Sequence, residues 1–208
     1  MKKLFFAPWI ITCLRVFLGI LFLTAGLGKL VPGFPGLMGP PWLEEVLVKY
    51  DLALFARFIA YSQIFIGWLL LSRRFATLGA VMLLPMLLNI LMVTISQNWK
   101  GTPYVVSVFL FMNLWLLAAD FHRLKFLISD DVAALKPLPV VRKNRFSDGL
   151  VIIALLLLVM GAAFGKTNFL VANTIIGSGL FCGFILPFLM QTLRSGKLKT
   201  ETAENNVS

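Results

Sequence analysis

Five residues of one apolar stretch, RVFLGILFLTAGLGKL, carry its capacity for chemistry: Arg15, Gly19, Phe22, Gly26 and Lys29. At about 100° per residue they fall within a sector roughly 80° wide, so a helix here presents one charged and notched face. A charge in hydrocarbon costs roughly 2.5 to 3.5 kcal/mol at mid-span, so such residues usually face a protein interior, a cavity or the interface. The glycines admit a second backbone at close range. Two arrangements fit the spacing. Either the stripe lines the inside of a bundle and each charge has a partner there, or Arg15 and Lys29, about 21 Å apart at 1.5 Å per residue, reach to opposite interfaces. An inward Arg15 would find Asp120 at its depth, and an inward Lys29 would find Tyr61 or the stretch from Trp42 to Asp51.

The other polar residues within apolar runs are Gln63, Asn89 and Asn113. Asparagines in such helices are more often interhelical hydrogen-bonding glue than catalytic groups. Asn89 follows Pro85, which removes a backbone donor and frees the carbonyl of Val81, so a bend and a contact of Asn89 within the bundle are expected. The secondary candidates are therefore Tyr61, Gln63, Asn89, Asn113 and Asp120. No metal site is expected. Cys13 and Cys182 lie in separate runs without CxxC spacing, and the single histidine, His122, excludes a bis-histidyl haem within the chain.

These residues need a membrane scaffold to hold them. Of 208 residues, 59% are hydrophobic and 13% charged, which is more apolar surface than one soluble domain of this size hides. The reading is an all-α membrane protein of six spans, at about 9–31, 53–72, 75–97, 103–120, 149–166 and 171–193. Residues 1–120 form a four-helix transmembrane core, with an interfacial cap near 42–51, where Leu43, Val46, Leu47 and Tyr50 recur at helical spacing. Residues 121–148 make a basic connector with a helix expected over SDDVAALK, 149–193 two additional C-terminal transmembrane helices, and 194–208 a polar tail expected to be disordered. The last pair carries Gly161-x-x-x-Gly165 and Gly179-x-x-x-Gly183, a pattern that supports close packing.

The net charge of +10 sits beside the apolar runs, where it sets orientation and does not imply nucleic acid. With six spans, thirteen Lys and Arg residues fall on the side of the termini, and only Lys49, Lys100 and Lys166 on the other. Both termini are thus expected in the cytoplasm, the lipid bilayer is the first partner, and the opening run is expected to stay as an uncleaved first span.

The stretch RVFLGILFLTAGLGKLVPG, through Arg15, Gly19, Phe22, Ala25, Gly26, Lys29 and Leu30, resembles the opening signature of the DoxX family of small membrane proteins. SQIFIGWLLLSRRFATLGAVMLLPMLLNI is similar to the family's second and third helices, although Gln63 stands where many members carry an acidic residue. The resemblance covers about residues 9–120 and implies a bacterial inner-membrane protein. It leaves two functions open: a non-catalytic subunit or assembly factor of a membrane complex, or a quinone-linked redox subunit working with a soluble oxidoreductase. In the second, Arg15 or Lys29 would bind a quinone carbonyl. No cofactor is evident from the residues themselves. A small transporter would call for internal repeats, and none is visible.

Overall fold

The computed structural model describes residues 8–34, 37, 47–72, 75–128, 145–165 and 167–185. Among the described residues the chain is helical: α1 Pro8–Leu30, α2 Ala53–Leu71, α3 Ala76–Ser96, α4 Thr102–Ala119, α5 Phe121–Ile128, α6 Arg145–Phe164 and α7 Phe169–Leu180, the last continuing as a π-helical turn, Phe181–Ile185. Four of these, α1 to α4, are long and apolar enough to cross a bilayer. Their 18 to 23 residues correspond to about 27 to 35 Å at 1.5 Å per residue, against a hydrocarbon core of about 30 Å. The apolar parts of α6 and α7, Gly149–Phe164 and Phe169–Gly183, are shorter.

The chain divides into two compact units, 1–141 and 142–208. In the first, short connections make antiparallel neighbours of α2 and α3 and of α3 and α4, while α1 packs most extensively on α2 across a longer connection, and a lighter contact closes α1 on α4. The end of this bundle where α1 and α3 begin is termed proximal, and the end where they stop, distal. Leu18, Leu21, Phe22, Ile66, Leu70, Leu83, Leu87, Phe109 and Leu116 form the core between the helices.

Glycine decides how closely α1 and α2 approach. A Cβ at Gly26 would lie 2.6 Å from the Ala60 carbonyl oxygen, and one at Gly67 would lie 2.5 Å from the Leu23 nitrogen. Gly19 is closed off in the same way by Leu71 and by the carbonyl of Gly67. Only residues without a side chain permit this seam. It also fixes the register that brings Lys29 and Gln63 together.

The distal turns are built on left-handed residues. Asn98, at φ 52°, ends α3 while the Trp99 amide donates to the Thr94 carbonyl, and Gly101, at φ 93°, starts α4. Of the expected cap, residues 42–46 lie outside the described residues. Leu47 is buried against Ala56, with Phe55 and Trp99 beside it. α5 follows α4 after a turn at Asp120, earlier than the expected SDDVAALK helix, which lies outside the described residues, as does the tail.

In the second unit α6 and α7 pack together. Gly161 and Gly179 supply the contact: a Cβ at Gly161 would meet Ile176 at 2.6 Å, and one at Gly179 would meet the Ala154 carbonyl at 3.1 Å.

Candidate functional site

The charged stripe of α1 faces into the first unit. At the proximal end, Nη2 of Arg15 donates to both carboxylate oxygens of Asp120, at 2.6 and 2.5 Å. Asp120 is buried in the turn after α4, and its Oδ2 also accepts from the Thr77 hydroxyl of α3 at 2.8 Å. Arg123 of α5 donates in turn to Thr77 Oγ1 at 3.3 Å. Four elements thus meet in one cluster, two of them at the carboxylate itself. Removing one member of a buried ion pair leaves the other charge uncompensated and typically costs about 3–5 kcal/mol, so this cluster fixes the proximal end of the bundle. Arg15 Nε, also buried, has no partner among the described residues.

Further into the bundle from this cluster, Asn113 is fully buried, and its Nδ2 donates 3.0 Å to the Ala80 carbonyl of α3. Its Oδ1 has no partner among the described residues. α3 runs unbroken through Pro85. Asn89 is a correction to the expected contact, because its side chain is exposed and makes no hydrogen bond with a described residue. The buried face of α3 comprises Ala76, Gly79, Ala80, Leu83, Met86, Leu87 and Thr94, and Asn89, about 200° beyond Leu87, lies on the opposite face.

Toward the distal end, Lys29 Nζ donates to Gln63 Oε1 at 2.6 Å. The contacts of Gly19 and Gly26 set residues 57–61 level with Lys29, so the bond to Gln63 points toward the middle of the bundle, along the direction in which helical side chains lean. Lys29 therefore does not reach out to the interface. Tyr61, the partner expected from the sequence, is half-buried and bonds no described residue.

Lys29 and Gln63 belong to the wall of a partly open cavity of about 340 Å³ lined by residues of all four helices. Leu21, Phe22 and Ala25 of α1, Ile59 of α2, Leu87, Ile90 and Val93 of α3, and Val105, Val106 and Phe109 of α4 make its apolar lining. Phe22 and Phe109 meet edge to face, with centroids 6.2 Å apart. The polar residues gather at one end: Lys29, Gln63, Thr94 and Thr102, with Trp99 and Leu47 beside them. Among the described residues no group of His, Cys, Asp and Glu could hold a metal ion.

The structure thus brings Arg15 and Asp120 together at one end, Lys29 and Gln63 at the other, and sets Gly19 and Gly26 against α2 between them. Thr77, Thr94 and Thr102 were not singled out from the sequence. Threonine at a helix end reads as an ordinary cap or surface residue, and only the shared level of Thr77 with Asp120, and of Thr94 with Thr102, hinted otherwise. No family model, no curated protein and no solved structure matches the chain.

Proposed function

We propose that the chain is a non-catalytic subunit or assembly factor of a membrane complex, of the DoxX type, in which six spans and cytoplasmic termini place the basic connector against a soluble or membrane partner. The observation that carries this reading is the use of the interior polar groups. The Arg15, Asp120, Thr77 and Arg123 cluster joins α1, α3, α4 and α5, and Asn113 ties α4 to α3, so each of these side chains makes a bond that holds helices together. A site built for proton transfer or nucleophilic attack instead keeps a base or nucleophile free toward substrate. The unequal burial of the helices also supports a lateral partner: about half of the apolar window of α1 and of α2 is buried within the chain, but 33% of that of α3 and 22% of that of α4. A lone bundle in lipid can leave such faces bare, and a subunit uses them.

Affinity purification of the full chain from its native membrane in mild detergent, with mass spectrometry of the proteins retained, tests the proposal. A stoichiometric protein retained through a maltoside wash and lost in variants bearing Trp in place of Val108 or Leu114, two exposed residues of α4, supports it. A chain that elutes alone at native expression, with no dependence on these faces, contradicts it. The quinone-linked alternative has the cavity beside Lys29 in its favour and is read in the same preparation, by extraction of bound quinone.

A further inference from the structure

The two interior charges of the first unit are not treated alike. Arg15 has a carboxylate, Asp120. Lys29 has three N–H donors and, among the described residues, one neutral acceptor, Gln63 Oε1, with no ion pair. It sits where an otherwise apolar cavity of about 340 Å³ has its polar end, a volume at the lower limit of small-molecule sites. We infer that this cavity binds a single-chain amphiphile with one carboxylate, its head on the Lys29 ammonium and its chain running down between Phe22, Leu87 and Phe109.

Three features of the wall support that ligand class. The first is charge. An ammonium in a low-dielectric wall is poorly compensated by one amide, whereas a carboxylate takes its remaining donors in charge-assisted bonds, the stronger kind. A neutral ligand would leave the charge as it is. The second is polarity along the axis. Lys29 lies seven residues beyond Phe22, Thr94 seven beyond Leu87, and Phe109 seven beyond Thr102, so on each of α1, α3 and α4 a polar and an apolar residue of the lining stand about 10 Å apart along the axis. A head-and-tail molecule matches that gradient, and a ligand polar at both ends does not. The third is volume, since about 340 Å³ is room for one short chain or one ring. The carboxylate can come from the bilayer, as a fatty acid, or from water, as a short aryl or alkyl acid. Both offer the same head to Lys29. This inference does not depend on the chain working in a complex.

The test uses the full-length protein in maltoside, with decanoate, methyl decanoate, benzoate and a short-chain ubiquinone as probes, each followed by calorimetric titration and by the shift in melting temperature. Saturable decanoate binding at one site, at least tenfold tighter than that of the methyl ester, is expected. In K29Q, decanoate affinity should fall at least tenfold, to the level of the ester. V106F keeps Lys29 but projects a ring into the cavity, so it should weaken decanoate binding at least tenfold, and it decides the matter if K29Q does not fold. Benzoate binding as tight as decanoate would assign the ligand to water, and weaker benzoate binding to the bilayer. Both results uphold the carboxylate site. Equal binding of acid and ester, unchanged binding in V106F, no saturable decanoate binding, or preference for the quinone would overturn it.

Discussion

At the scale of single residues, burial of the polar group decides its role, and the two mid-span asparagines make the comparison directly. Asn113 is enclosed and ties α4 to the Ala80 carbonyl; Asn89 points away from the core of α3. Replacing Asn113 with leucine should lower stability in detergent by about 0.6 to 2 kcal/mol, the range for interhelical hydrogen bonds in membranes. The same change at Asn89 should cost nothing, because it removes an outward-facing amide from an apolar surface. Thermal denaturation of both variants checks the pair, and a larger loss at Asn89 would reverse the assignment. The sequence could not separate the two. α3 is apolar all round, so its periodicity does not reveal which side is inward, whereas the charges of α1 mark a stripe that needs burial. Arg15 and Asp120 were legible as a pair because both lie near the same end of the bundle, and Gln63 was overlooked as a partner for Lys29 because the α1–α2 register was not.

At the scale of elements, that register rests on glycines. Gly19 and Gly26 could be seen in sequence as notches, but their counterpart Gly67 gains meaning only when α2 is laid antiparallel against α1. A Cβ at Gly67 would fall within 2.5 to 2.9 Å of Leu23 and Gly19 backbone atoms, which cannot move aside without parting the helices. Gly67→Ala should therefore depress the melting temperature and weaken the Lys29 to Gln63 bond. Gly177→Ala, with nothing within 4 Å of the added carbon, is the matched control and should melt unchanged or slightly higher. Equal behaviour of the two variants would mean that the α1–α2 seam is looser than described. The conformation of the distal turns was not legible in the sequence for a different reason. Asn98 and Asp51 take left-handed conformations that asparagine and aspartate tolerate but do not require.

At the scale of the whole molecule, the all-helical architecture and the four long apolar helices followed from composition and run length. The count of six spans rests on the charge asymmetry of the loops. The apolar stretches of α6 and α7 are shorter than α1 to α4, so topology is the property to measure. Reporter fusions after Gly33, Gly101 and Thr167 should read external, and fusions after Arg74, Lys143 and Lys199 internal. A fusion after Thr167 that reads internal would remove the last two helices from the membrane and leave a four-span protein with a C-terminal helical pair. The charged face of α1 is turned inward and partnered, so that the bundle is closed by an ion pair at one end and shaped around a lysine at the other. The most direct measurement of that claim is a double-mutant cycle on Arg15→Gln and Asp120→Asn, read as unfolding free energy in detergent. Each single variant should lose about 3–5 kcal/mol, and the double variant less than either alone, because the second substitution removes the charge left without its partner. Single losses near zero, or losses that add in the double variant, would show that the two side chains do not depend on one another, and the inward stripe would be wrong.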